Sequence, residues 1–173
     1  MTLHATSEQK KAIYEAWLDR VISSYPDRTA RFLATKHDQF ANPVGSDMKR
    51  VLEALTEAFF SGTDVTDLDP VLDPLIRVRA VQEMKPGEAV SFVLHLRDVV
   101  REQFHQTLDH GQIAELNAWV EALLLEAFGV YVACRDQMHD IRVQAIRKQS
   151  ISVIERLNAW RTERYGSDAE EGS

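Results

Sequence analysis

The stretch that decides the fold class is residues 111–165, which read GQIAELNAWVEALLLEAFGVYVACRDQMHDIRVQAIRKQSISVIERLNAWRTERY. Apolar residues recur every three or four positions, the period of one face of an α-helix. They form two series of different register: first Ile113, Leu116, Val120, Leu123, Ala127, Val130 and Cys134, then Val143, Ile146, Ser150, Val153, Leu157 and Trp160. We predict one long helix whose first half packs on a globular core and whose second half faces another partner, with Gly129 marking a kink or a close helix contact.

Shorter segments before residue 111 show the same helical period. Thr6 and Gln9 have capping-box spacing and open the first helix, which Pro26 ends. Capping residues, glycines and prolines predict helices at about residues 7–25, 28–34, 47–60, 70–82 and 86–104, and an irregular segment at Thr35–Ser46. Pro70 and Pro74 both fit the first turn of the helix at about residues 70–82. The predicted fold class is therefore all-α, a helical bundle with a long C-terminal helix.

The bulk composition limits the functional classes. The chain has 173 residues, 45% of them hydrophobic, which is enough for one domain with its own core. A net charge of −7 argues against general affinity for nucleic acid, which needs a basic surface. The single cysteine, Cys134, excludes an internal disulfide and favours a cytoplasmic location. Because Glu126 interrupts the longest apolar run and the N-terminus has no apolar core, we expect neither a membrane span nor a signal peptide.

Charge and register divide the chain into three predicted parts. Residues 1–140 form the helical domain, residues 141–165 an amphipathic extension, and residues 166–173 an acidic tail expected to be disordered. Residues 142–164 carry a net charge of +4, against −8 for residues 1–141. We predict a homodimer or partner interface on this helix, formed by Val143, Ile146, Val153, Leu157 and Trp160. Packing of the helix on its own domain remains an alternative, and membrane-surface or nucleic-acid binding is a weaker one.

No catalytic, metal or cofactor motif is present. HExxH, CxxC, GxSxG and phosphate-loop patterns are all absent from the sequence. Of the six histidines, His95 lies at the edge of an apolar helix face, which does not make a haem pocket. Cys134 has no base nearby on its helix face. We therefore expect no enzyme activity, no metal and no cofactor.

Three segments resemble the N-terminal domain of RsbRD-type co-antagonists of RsbT. They are FANPVG at residues 40–45, IRVRAVQ at residues 76–82 and PGEAVSFV at residues 86–93, and Trp17 in the first helix adds to the likeness. The resemblance covers roughly residues 10–135. It implies a globin-like helical fold without haem, usually dimeric, which serves as a sensory module joined by a helix to a STAS output domain. Since no STAS domain follows residue 165, we expect a solitary domain or an output on another chain.

The family-motif residues are Trp17, Phe40, Asn42, Pro43, Gly45, Arg77, Arg79, Gln82, Pro86 and Glu88. Fold maintenance is the favoured interpretation for them over ligand binding. Arg77 and Arg79 lie on different faces of their helix, so at most one should enter a buried ion pair. We expect Arg79 or Gln82 to hydrogen-bond the Asn42–Pro43 loop, because an irregular buried loop must satisfy its backbone. The predicted function is a non-enzymatic regulatory domain acting with an unidentified protein partner. The alternatives are a small-molecule or haem sensor, or an accessory protein linked to sulfur metabolism.

Overall fold

Helices make up the regular structure of the described part of the chain. The computed structural model describes residues 3–34, 42–104 and 107–165, without the side chains of Asp27 and of residues 162–165. In these ranges the α-helices are α1 (Ser7–Ser23), α2 (Asp27–Ala34), α3 (Pro43–Ser61), α4 (Asp69–Val81), α5 (Pro86–Val90), α6 (Phe92–Phe104) and α7 (His110–Tyr165), with a 3-10 helix at Val65–Asp67. The same ranges hold no strand. The predicted all-α class with a long C-terminal helix is confirmed.

The chain divides into two compact units, Met1–Cys134 and Arg135–Ser173, and the domain boundary expected at residue 140 stays a prediction. In the first unit, α1 packs on α6 and α3, and α3 packs on α4. Its core includes large side chains of α1, α3 and α6 such as Trp17, Phe59 and Phe92. The first apolar series of α7 completes it, since Leu116, Val120, Leu123, Ala127, Val130 and Cys134 are buried.

The helix starts follow from local hydrogen bonding. Thr6 forms the predicted capping box with Gln9, each side chain bonding the other residue's backbone N–H. The predicted start of α3 at Asp47 is wrong, because the helix already begins at Pro43. Asn42 is the N-cap, and its side chain accepts a hydrogen bond from the Gly45 N–H at 2.9 Å. A proline at the first helical position needs no hydrogen-bond acceptor, so the Asn42-Pro43 pair is a regular helix start.

Two other helix predictions also need correction. Pro74 lies inside α4 rather than in its first turn. The single helix predicted from Pro86 to Phe104 is interrupted by a turn at Ser91, which separates α5 from α6. The Ser91 hydroxyl donates to the Glu88 carbonyl at 3.0 Å, and two nearby carbonyls accept side-chain hydrogen bonds, as described below. A local side-chain bond such as that of Ser91 competes with helix continuation.

Helix α7 is continuous through Gly129. A Cβ atom at Gly129 would meet nothing within 4 Å, so the glycine does not serve a close helix contact. Within His110–Arg161, one 18-residue stretch is long and apolar enough to cross a membrane by length and composition, with a mean hydropathy of 1.4. The core helix of a soluble protein meets the same criterion, and 33% of the stretch is buried. The absence of a membrane span therefore stays a prediction.

Candidate functional site

Arg79 of α4 is a buried arginine held in the core of the first unit. Its side chain is only 2% exposed, and Nη1 donates a 2.8 Å hydrogen bond to the Ala89 carbonyl. The turn at Ser91 ends α5 just after Ala89, which leaves this carbonyl to Arg79. The turn at Ser91, which the sequence pattern did not predict, therefore helps to provide the carbonyl that Arg79 binds.

Aromatic rings flank the Arg79 guanidinium. Its Cζ atom lies 4.7 Å from the Phe92 ring centroid and 5.4 Å from the Tyr25 ring centroid. Trp17 stacks on Phe92 with an interplanar angle of 16°, and its Nε1 donates to the Phe92 carbonyl at 2.7 Å. We call these four residues, Trp17, Tyr25, Arg79 and Phe92, the Arg79 cluster. It joins α1, α4 and α6 through cation–π contacts of Arg79 and the stacking of Trp17 on Phe92.

The Arg79 guanidinium is only partly hydrogen-bonded. Its Nε and Nη2 atoms are buried and have no hydrogen-bond partner among the described residues, which also place no carboxylate within ion-pair distance of it. Burial lowers the pKa of Arg79 below the ordinary arginine value, and the Tyr25 hydroxyl, which lies near enough to interact with the guanidinium, acts in the opposite direction. The ordinary arginine pKa lies so far above neutrality that the group keeps its charge at pH 7. A charged group with two unused donors is therefore buried in the core.

A cleft of about 550 Å³ lies beside the Arg79 cluster. We call it the Tyr25 cleft. Its lining consists of Ser24, Tyr25, Pro26, Thr29, Gln82, Met84, Glu88 and Ser91. The ring of Tyr25 therefore contacts both the cleft and the guanidinium. Tyr131 of α7 fixes one edge, because its hydroxyl donates to the Met84 carbonyl at 2.6 Å.

The structure brings some predicted motif residues together and separates others. Trp17 and Arg79 belong to the cluster, Gln82 and Glu88 line the cleft, and Pro86 opens α5. Arg77 lies elsewhere, exposed and paired with Asp73 at 2.9 Å. Arg79 is buried but has no ion-pair partner among the described residues, so neither arginine forms a buried ion pair there.

The Asn42-Pro43-Gly45 motif has a separate, structural role. Asn42 is buried, and its Nδ2 donates to the carbonyls of Phe32 and Leu33 at 3.0 and 3.4 Å. The described residues show no hydrogen bond from Arg79 or Gln82 to this segment, so the expected bracing is not found there. Asn42 holds the segment with its own side chain. Phe40 lies outside the described residues.

Sequence reasoning missed Tyr25 and the Ala89 carbonyl as members of the site. Tyr25 follows α1 directly and continues its apolar spacing, so the pattern assigns it to the core. The carbonyl carries no sequence signal, since any residue type supplies one.

The second unit presents an apolar stripe along α7. Its members, spaced alternately three and four residues apart, are Val143, Ile146, Ser150, Val153, Leu157 and Trp160, which we call the C-terminal stripe. Ile146, Val153, Leu157 and Trp160 are 48–58% exposed, and Val143 is half-buried. The predicted interface residues therefore present apolar surface.

Other titratable groups do not form a recognisable reaction centre. Among the described residues, no three His, Cys, Asp or Glu side chains lie close enough together to hold a metal ion. Burial lowers the pKa of His95, which favours the neutral imidazole. Burial likewise raises the pKa of the Cys134 thiol, partly offset by Arg77, and its Sγ lies 3.8 Å from Asp73 Oδ1.

Comparison with known proteins gives the family. An uncharacterized protein of Archaeoglobus fulgidus is 24% identical over 136 residues, which cover 78% of this chain and 83% of the relative. No solved structure matches, so the globin-like comparison stays a prediction. The family model of the RsbT co-antagonist protein RsbRD N-terminal domain, a regulatory signalling domain, matches residues 11–146. The chain therefore belongs to the RsbRD N-terminal domain family.

Proposed function

We propose that the protein is a non-enzymatic, cytoplasmic regulatory domain that acts by reversible self-association through the C-terminal stripe. The observation that carries the proposal is the exposure of this apolar stripe, on a helix otherwise rich in charged residues. Apolar residues that alternate at spacings of three and four are typical of a seam between two helices. A second copy of the chain presents the same stripe and is the partner we propose.

The length of the stripe favours a weak dimer. From Val143 to Trp160 it spans about two and a half heptads, and a sustained coiled coil usually needs three or four. Ser150 occupies one of the seam positions and adds little apolar area. A weak association is suited to regulation, because a differential free energy of a few kcal/mol is enough to shift such an equilibrium.

The charges beside the stripe predict how salt affects the dimer, and this distinguishes a second copy from an acidic partner. With Val143 and Ser150 at the a positions of the heptad, Arg142, Arg147, Arg156 and Arg161 fall at e and g, beside the seam. Two copies therefore bring like charges together in either helix orientation. Salt screens such repulsion, so the dimer should tighten as ionic strength rises. A complex with an acidic partner helix would weaken instead.

The test is sedimentation equilibrium of the full chain over a concentration series at low and high salt. The variant Val153→Arg adds a charge in the seam and is expected to abolish the dimer. The matched control is Ile151→Arg, an equally β-branched residue two positions away on another face, with 56% exposure against 48% for Val153. Control and parent should dimerise alike. A chain that stays monomeric throughout, or equal effects of the two variants, would overturn the proposal.

A further inference from the structure

The unused donors of Arg79 form one geometric unit. In an arginine, the Nε–H and one Nη2–H bond point in the same direction from the guanidinium plane, and this edge matches the two oxygens of a carboxylate. In this protein both atoms of that edge lack a partner among the described residues, while Nη1 is fixed by the Ala89 carbonyl. The bond to Ala89 and the two flanking rings hold the guanidinium in place with this edge unused.

Leaving this edge unused is costly in a folded protein. Buried polar groups are nearly always hydrogen-bonded, and a buried charge normally has a partner of opposite charge. A hydrophobic side chain of similar size would fill the same space without that cost. The arginine is therefore better explained by something that it binds than by packing alone.

The Tyr25 cleft and the Arg79 guanidinium share one neighbour, the side chain of Tyr25. Tyr25 lines the cleft and covers the guanidinium, and it lies in the connection between α1 and α2 rather than inside a helix. We propose that rotation of the Tyr25 side chain exposes the guanidinium to the Tyr25 cleft, and that the cleft then binds a small carboxylate-bearing molecule whose two carboxylate oxygens accept hydrogen bonds from Nε and Nη2 of Arg79.

The remaining lining narrows the ligand class. The cleft, at about 550 Å³, has the size of a small-molecule site. Ser24, Thr29, Gln82 and Ser91 supply neutral hydrogen-bonding groups, and Pro26 and Met84 supply apolar surface. Glu88, the one acidic lining residue, opposes a second negative charge on the ligand. The site is therefore suited to a monocarboxylate with a small apolar or hydroxylated body, and not to a dianion such as phosphate.

The direct test follows the Nε–H signal of Arg79 in ¹H–¹⁵N spectra of the full chain, assigned by its loss in Arg79→Lys. Acetate, propionate and benzoate are titrated separately, with benzamide as the uncharged analogue of benzoate and inorganic phosphate as the dianion. We expect at least one carboxylate to shift this signal to saturation, and benzamide and phosphate to leave it unchanged. If none of the three carboxylates moves the signal, or if benzamide or phosphate moves it equally, the proposal is overturned.

Calorimetric titration of variants with the best of these carboxylates tests the assignment to Arg79. Arg79→Lys keeps the charge but loses the two-pronged edge, so affinity should fall at least about tenfold. Arg77→Lys, the same substitution on an exposed arginine of the same helix, should bind like the parent. Glu88→Gln leaves the buried core untouched and should bind a simple carboxylate about twofold more tightly, since it removes a like charge. Unchanged affinity in a folded Arg79→Lys chain, or weaker binding by Glu88→Gln, would contradict the proposal.

Discussion

The start of α3 offers a sharp test of the packing argument. Gly45 has a backbone conformation open to any residue, yet a Cβ atom there would lie 2.4 Å from Nδ2 and 2.8 Å from Cγ of Asn42. Gly45→Ala must therefore displace the Asn42 side chain. That displacement breaks the cap to the Gly45 N–H and the bond to the Phe32 carbonyl.

The magnitude follows from these two bonds. Loss of an N-cap costs about 1 kcal/mol, and loss of a partly buried hydrogen bond costs about another 1 kcal/mol. Alanine gains roughly 1 kcal/mol over glycine within a helix. Gly45→Ala should therefore destabilise the parent by about 1 kcal/mol, and Asn42→Ala should cost about 2 kcal/mol. In the Asn42→Ala background the obstacle is gone, so Gly45→Ala should become neutral or stabilising by up to about 1 kcal/mol.

The parent, the two single variants and the double variant form a double-mutant cycle. Equilibrium urea unfolding followed by circular dichroism measures the free energy of unfolding of each chain. Gly87→Ala is the matched control, because Gly87 likewise lies in the first turn of a helix that opens with proline, and a Cβ there would meet nothing within 4 Å. It should be neutral or slightly stabilising. If Gly45→Ala destabilises equally with and without the Asn42 side chain, the steric account of this glycine is wrong.

Three further predictions test groups outside that motif. Because burial lowers the pKa of His95, the unfolded chain binds the proton more readily, so the free energy of unfolding should fall as the pH drops through about 6.5. The urea midpoints at about pH 7.5 and pH 5.5 should therefore differ less in His95→Asn than in the parent. An equal difference in both chains would contradict this. Burial raises the pKa of Cys134, so its thiol should react with a disulfide reagent far more slowly than free cysteine at neutral pH, and reaction at the free rate would refute the assignment. Tyr131→Phe removes the hydroxyl that bonds Met84 and should cost about 1 kcal/mol in urea unfolding, whereas no measurable loss would show that the bond is not stabilising.

Periodic residues were predictable because helix burial follows their spacing. The first apolar series of α7 is buried from Leu116 onward and the capping box at Thr6 is formed, since both depend only on residues a few positions apart. The Asn42-Pro43 pair also carries a signal for the early start of α3, because an asparagine before a proline is a regular N-cap. The same proline, however, disfavours helical backbone in the residue before it. That competing preference led to the prediction of a loop.

The Arg79 cluster could not be predicted because its contacts join distant parts of the chain. Trp17 reaches a carbonyl 75 residues away, and Arg79 reaches one 10 residues away across the turn between α4 and α5. Helical spacing does not encode a break such as the turn at Ser91, whose surroundings fit a continuous amphipathic helix. The sequence motifs did single out Trp17, Arg79, Gln82 and Glu88, but not Tyr25 or the Ala89 carbonyl.

In the proposed dimer, the C-terminal stripe is the surface through which two copies associate. A photo-reactive benzoylphenylalanine placed at residue 153, compared with the same group at residue 151, tests it most directly, because the result does not depend on whether the two helices run parallel or antiparallel. We predict that irradiation of the full chain gives a covalent dimer from the position-153 chain and little from the position-151 chain. Equal cross-linking at both positions, or none at position 153, would show that the two copies do not associate through this stripe.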